Sequence, residues 1–205
     1  MNQPRRYTEL TFTPSVQAAQ DRYGTREVAD RMKANTLDDR QLSWREQDFV
    51  AQRDSFYMAT IGETGWPYLQ HRGGPAGFVE VLDPRTLAFA DLGGNRQLIS
   101  TGNLLHDDRA ALFFMDYAQR RRLKLLVRAA VVDPGERPDL LARVTRRLDP
   151  REAARAERVF VLSVEAYDWN CPQHITQRVP LAEVEQREAA LRARIAELEA
   201  RLGAS

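Results

Sequence analysis

Two stretches of this chain gather the donors and glycines that a phosphorylated ligand requires. Gln70-His71-Arg72-Gly73-Gly74 puts donors at a strand end beside two glycines, where bare backbone lets a ligand come close. Further along, Asp91-Leu92-Gly93-Gly94-Asn95-Arg96-Gln97 sets a second glycine pair and an arginine at an expected helix start. Free N–H groups of a first helical turn with a nearby guanidinium make a phosphate seat. Arg120, Arg121, Arg122 and Lys124 supply a third cationic group from neighbouring strands. A strand-end arginine more often serves a surface ion pair, so no single segment decides the matter. The expectation rests on their convergence around one ligand.

A second constellation runs Tyr167-Asp168-Trp169-Asn170-Cys171-Pro172-Gln173-His174-Ile175-Thr176-Gln177-Arg178. It suits an aromatic ring system with hydrogen-bonding edges: Trp169 packs while Gln173, His174 and Arg178 read polar atoms. His174 is the local group able to act as acid or base. The competing reading is a polar loop that pins the tail helix to the rest of the fold. Cys171 and His174 have CxxH spacing, but a zinc site needs two more ligands and only His71 and His106 remain as histidines. No metal is expected. A Cys171–His174 nucleophile pair is opposed by Pro172 and the lack of an oxyanion signature. Neither a Walker loop nor a GxGxxG fingerprint occurs.

These groups must be held by elements that the hydrophobic pattern predicts. Residues 1–54 read as a helical segment: Thr13-Pro14-Ser15 opens one helix, Arg26–Ala34 forms another, and Ser43-Trp44-Arg45-Glu46 is a capping box for a third. Strands are expected over Ser55–Ile61, Trp66–Arg72, Phe78–Val81, Thr86–Asp91, Ala110–Tyr117, Leu123–Val132 and Val159–Tyr167. Helices are expected from Arg96 to about Leu105 and from Leu140 to Leu148. Many short strands with tight turns favour an antiparallel barrel over a parallel sheet. In the tail, Leu181, Val184, Leu191, Ile195, Leu198 and Leu202 occupy heptad a and d positions, broken only by Glu188. That helix either packs on its own barrel or pairs with another.

Composition narrows the class. The 205 residues carry 30 basic and 29 acidic groups, a formal charge of +1, which argues against a general nucleic-acid binder. No run approaches a membrane span, and the start, MNQPRRYTEL, lacks the apolar centre of a signal peptide. One cysteine permits no internal disulfide. A cytoplasmic protein is the expectation. Only Lys33 and Lys124 are lysines; the other 28 basic residues are arginines, whose planar fork suits phosphate and carboxylate.

The ordered motifs SFYMATIGETGWPYLQHRGG, TLAFADLGGNRQLISTGNL, DDRAALFFMDY and RRRLKLLVRAAVV resemble the pyridoxamine 5'-phosphate oxidase-like flavoproteins, and DWNCPQHITQR resembles the ending of a bacterial subgroup of them. The resemblance covers Ser55 to Arg178. It implies a mainly β, α+β fold: a six-stranded antiparallel split barrel over 55–179, flanked by the N-terminal helices and by a C-terminal heptad helix over 180–205. It also implies a homodimer with FMN at the subunit interface. By position, Gln70, His71, Arg72, Gly73 and Gly74 would face the phosphate and ring, and Ala90 and Asp91 would add contacts. Arg96 and Gln97 would hold phosphate with Ser100 assisting, Asn95 would bind the cofactor beside them, and Arg122 or Lys124 would stand on the strand that faces the flavin. Trp169, Gln173, His174 and Arg178 would come from the second subunit. Pro75 stands where the oxidases carry a lysine for substrate phosphate, Gln97 replaces a second basic residue, and the Arg-x-His substrate element has no clear counterpart. The implied function is an FMN-dependent oxidoreductase acting by hydride transfer on a small molecule, with NAD(P)H as a possible donor. The alternatives are a flavin- or haem-binding sensor or carrier, F420 in place of FMN, and an interaction protein whose tail recruits a partner.

Overall fold

A computed structural model describes residues 5–34, 38–169 and 171–203. The chain begins with four helices, α1 (Arg6–Thr11), α2 (Pro14–Arg22), α3 (Arg26–Ala34) and α4 (Trp44–Ala51). Thr13 caps α2 ahead of Pro14. The expected capping box of α4 is present: the Ser43 side chain accepts from the helix backbone, and Glu46 accepts from the Ser43 N–H at 3.0 Å. The first helix, α1, has no side-chain cap of its own and no apolar stripe. Its start is held instead by Asp39, fully buried, which accepts from the N–H groups of Arg6 and Tyr7 and from the Arg5 guanidinium.

The strands follow as β1 (Ser55–Ile61), β2 (Pro67–Gly73), β3 (Glu80–Asp83) and β4 (Thr86–Leu92). Then come α5 (Ile99–His106), β5 (Arg109–Asp116), β6 (Arg121–Val132), α6 (Pro138–Thr145), α7 (Pro150–Ala153), β7 (Ala156–Trp169) and α8 (Leu181–Gly203). One sheet of seven strands results, in the order β2-β1-β5-β6-β7-β4-β3. The fold is α+β with a large antiparallel sheet and flanking helices, as expected of a split barrel; the seventh strand, β3, is a four-residue edge on β4. Alternation sets the faces. On β1, Phe56, Met58 and Thr60 are buried while Tyr57 and Ile61 stay exposed, so one face meets the core and the other does not. Phe56, Phe78, Phe89, Phe114 and Phe160 form the aromatic centre of that core, each contributing about 1.5–3 kcal/mol by burial.

By contact density, residues 5–115 and 122–169 form one compact unit, and residues 116–121 and 171–203 form another. Within the second, Gln177 Nε2 donates to the Ala118 carbonyl at 2.7 Å and the Arg178 guanidinium lies 4.9 Å from the Tyr117 ring centre. These contacts tie the post-β7 loop to the β5–β6 turn. The helix α8 that follows has no buried residue.

Candidate functional site

A cavity of about 230 Å³ opens where β2, β4, the start of β7 and the first turn of α5 meet. Of the residues singled out from sequence, Gln70, His71, Arg72 and Gly73 line it from β2. Ala90 and Asp91 line it from β4, and Asn95, Arg96 and Ser100 from the segment that follows. The two cationic segments therefore do converge. They do so because β2 and β4, distant in the strand order, are drawn together by side chains: Arg72 Nη1 donates to Asp91 Oδ1 at 2.8 Å.

Two charged lining residues were not anticipated. Arg158 Nε donates to Asp91 Oδ2 at 3.0 Å, and Arg158 Nη2 donates to Glu157 Oε2 at 2.7 Å. Glu157 Oε1 in turn accepts from Arg96 Nη2 at 3.3 Å. Arg72, Asp91, Arg158, Glu157 and Arg96 thus form an alternating chain of five charges along one wall, with a net charge of +1. Arg72 is its buried end, with 15 % side-chain exposure, and Arg96 its open end, with 79 %. The Arg72 guanidinium lies 5.1 Å from the Phe160 ring centre, and its Nε is buried without a hydrogen-bond partner among the described residues. In a sequence nothing marks Arg158 as the partner of a residue 67 positions earlier; only the pairing Asp91↔Arg158 between β4 and β7 does.

Arg96 does not open the helix as expected. It stands three residues before α5, in left-handed backbone (φ 56°), as does Leu98 at the helix N-cap. No side chain caps the first turn of α5, so the N–H groups of its first residues remain open at the cavity wall. Ser100, buried in that turn, donates through Oγ to Gln70 Oε1 at 3.0 Å and fastens the helix to β2. The glycines divide their tasks. A Cβ on Gly74 would lie 2.8 Å from Phe78, so packing requires that glycine; one on Gly93 would lie 2.7 Å from Glu157 Oε1 and would push that carboxylate aside, and one on Gly94 would meet the Leu92 carbonyl oxygen at an ordinary 3.8 Å. Gly74 and Gln97 do not line the cavity, and the Gln97 N–H donates to Asn95 Oδ1 at 3.1 Å.

The remaining sequence-derived residues lie elsewhere. Trp169 ends β7, about 36 Å of extended chain beyond Arg158. Its Nε1 donates to Glu46 Oε1 at 2.7 Å, Phe49 meets its ring edge-on at 4.8 Å, and the Arg45 guanidinium sits 4.8 Å from it. Arg122 and Lys124 are at that same end of the sheet, where Leu123 pairs with Trp169 and Lys124 with Asp168. Burial raises the Asp168 carboxyl above the ordinary carboxylate value, and Arg5, 3.1 Å away, counters it in part. Burial likewise pushes the neighbouring Tyr167 phenol up to about 12. Gln173, His174 and Arg178 belong to the second unit, His174 exposed and in left-handed backbone (φ 62°). Asn170 lies outside the described residues. Within the first unit the imidazole that lines the cavity is His71, its ring 5.6 Å from that of Tyr57.

Among the described residues no group of three or more metal-ligating side chains occurs, and no helix is long and apolar enough to cross a membrane.

No curated protein matches the chain. Solved structures do. The conserved hypothetical protein Rv2991 of Mycobacterium tuberculosis is 21% identical over 68% of this chain and 91% of its own, with a TM-score of 0.50. HupZ of Group A Streptococcus is 12% identical over 67% of this chain and 99% of its own, also at 0.50. A Clostridium acetobutylicum protein related to general stress protein 26, of the pyridoxinephosphate oxidase family, is 13% identical over 68% and 94%, at 0.45. The two at 0.50 carry the fold. Residues 45–170, more than half of the chain and the stretch that holds all seven strands and the lining of the cavity, match the family model described as pyridoxamine 5'-phosphate oxidase. The chain belongs to the pyridoxamine 5'-phosphate oxidase family.

Proposed function

We propose that the cavity at β2, β4 and α5 seats the phosphate of FMN and that the protein is an FMN-dependent oxidoreductase of the cytoplasm. The observation that carries this reading is the meeting of Arg72 and Arg96 at one cavity beside an uncapped helix N-terminus, with a buried Arg72 Nε left without a partner among the described residues. A dianionic phosphate satisfies that donor, the open N–H groups and the net positive wall together. When bound, the isoalloxazine supplies the hydride chemistry. This chain's own residues do the rest. Arg96 and the first turn of α5 hold the phosphate, Arg72 braces the wall through Asp91, and Gln70 orients Ser100. His71 is the imidazole placed to exchange a proton with a substrate beside the ring.

A second copy completes the site in this reading. A cavity of about 230 Å³ is below the roughly 300–1,000 Å³ of pockets that enclose a whole small ligand. The other half of the sequence-derived set, Trp169 with Arg122 and Lys124, lies at the far end of β7 and β6, beyond reach of the same ligand within one protomer. The outer face of β1, β2 and β5 is apolar: Tyr57, Ile61 and Leu69 are exposed there, and Ile61 lines a cleft of about 380 Å³ rimmed by Arg6, Arg109 and Arg128, each paired with an acid. An apolar centre with a polar rim suits a protein interface. Tyr57 and His71, paired across β1 and β2, join that face to the cavity.

The test is to identify by mass what co-purifies with the protein and to reduce it anaerobically with NADH or NADPH. Bound FMN that the nicotinamide reduces and a small-molecule oxidant reoxidises supports the oxidoreductase. Bound FMN without turnover supports the carrier reading, and a protein that binds no flavin overturns both.

A further inference from the structure

We infer that a second cavity, on the other side of Arg96, seats the diphosphate of a nicotinamide dinucleotide that serves the flavin. The inference rests on the FMN-phosphate reading of the first cavity. The second holds about 480 Å³, within the roughly 300–1,000 Å³ of pockets that take a small molecule. Gly93, Gly94, Ala154 and Ala156 leave it open and Arg155 lines it, while Arg96 and Glu157 belong to the linings of both cavities. Strand pairing makes this shared wall. Asp91 pairs with Arg158 but Leu92 with Ala156, so Glu157 is the extra residue of a bulge, a device that re-aims side chains. Glu157 and Arg158 accordingly both line the first cavity although they are neighbours on β7. Across the second, the Gly93 N–H donates to the Arg155 carbonyl at 3.2 Å and fixes Arg155 beside the glycine pair.

Charge says what the second cavity takes. The wall from Arg72 to Arg96 carries a net +1, and the open start of α5 adds about half a charge. An FMN phosphate, close to a dianion at neutral pH, uses this up. Arg155 is the cation left over: it is exposed and pairs with no acid among the described residues. A second anion beside the first is its match. A pentose-length chain separates ring from phosphate in FMN and in the nicotinamide half of NADH or NADPH alike. A nicotinamide laid against the isoalloxazine therefore brings its own phosphate up beside that of FMN. There the donor continues as a diphosphate with a single charge on each phosphate, which suits a lone guanidinium, and the open cavity receives the adenosine side.

The experiment titrates ADP-ribose, the dinucleotide without its nicotinamide, into the full chain by calorimetry, with and without saturating FMN, and repeats both in Arg155→Ala. ADP-ribose cannot reduce a flavin, so binding alone is read. Binding to the FMN-saturated protein that Arg155→Ala weakens by about tenfold, with FMN affinity unchanged, supports the proposal. ADP-ribose that FMN displaces occupies the first cavity instead and overturns it. So does binding that Arg155→Ala leaves untouched, or no ADP-ribose binding by a protein that still takes FMN. An equal loss for FMN in Arg155→Ala makes this arginine part of the first seat and overturns the assignment. A chain that binds no FMN overturns the phosphate reading itself, and the second seat with it.

Discussion

Arg72 on β2 and Asp91 on β4 share a hydrogen bond of 2.8 Å although four strands stand between theirs in the sheet. The bond ties β2, one edge of the sheet, to β4 near the other and, by the same geometry, builds the wall of the candidate site. Asp91 is the hub, since Arg158 holds its other oxygen. Removing Asp91 takes a partner from both arginines and leaves Arg158 with Glu157; removing Arg72 leaves Asp91 its bond from Arg158.

Asp91→Ala is therefore expected to cost about 3–5 kcal/mol, the range for breaking a buried ion pair from one side, because the buried Arg72 loses its counter-ion and Arg158 keeps only Glu157. Arg72→Met leaves Asp91 its bond from Arg158 and should cost about 2 kcal/mol. Urea unfolding of both variants checks the order; a larger loss in Arg72→Met would contradict the hub.

Glu157 competes with any anion for Arg96. Glu157→Gln removes that competitor while keeping the volume that Gly93 accommodates. Phosphate binding should tighten by about fivefold at most, since so exposed a pair is worth up to about 1 kcal/mol. Calorimetric titration with inorganic phosphate measures it. Weaker binding would mean that Glu157 positions the site rather than opposing the ligand.

At the other end of β7, Glu46 serves both the cap of α4 and the Trp169 indole. Glu46→Ala loses both and should destabilise by about 2–4 kcal/mol. Trp44 and Trp66 are exposed, at 80 % and 78 %, so any blue-shifted tryptophan emission belongs to Trp169. Trp169→Phe should abolish that component, and its persistence would rule out this packing.

Tyr167 gives the alkaline limit. Its phenol is held protonated to about 12 in the folded chain against an ordinary value of 10.0, by burial first and then by the Glu46 carboxylate. The folded state therefore binds the proton more tightly than the unfolded one, so this contribution is complete below pH 10.0 and is lost as pH rises toward about 12. Thermal midpoints across that window should fall less steeply in Tyr167→Phe than in the parent; parallel curves would contradict the assignment.

Legibility followed locality. The strands, α2, α3, the capping box of α4 and the heptads of α8 are written in spacing and turn chemistry over a few residues, and the structure contains them all. Arg72 and Arg96 were readable as site candidates because glycine pairs flank them in the chain. Arg158, Glu157 and Asp39 were not, because each acts through a partner far along the chain that only strand pairing or helix docking delivers. The helix expected at Arg96 begins later because Arg96 and Leu98 adopt left-handed backbone that no propensity announces. Trp169 was read as a ligand-facing residue from its loop of polar neighbours; its hydrogen bond to Glu46 on α4 depends on tertiary packing.

Equilibrium titration of the flavin-free protein with FMN and with riboflavin, which lacks only the phosphate, tests the phosphate seat most directly. The seat predicts FMN binding tighter than riboflavin by about 100-fold, the worth of two charge-assisted bonds, with the gap shrinking by about tenfold in Arg96→Ala. Equal affinities, or a preference for FMN that Arg96→Ala leaves untouched, would contradict it.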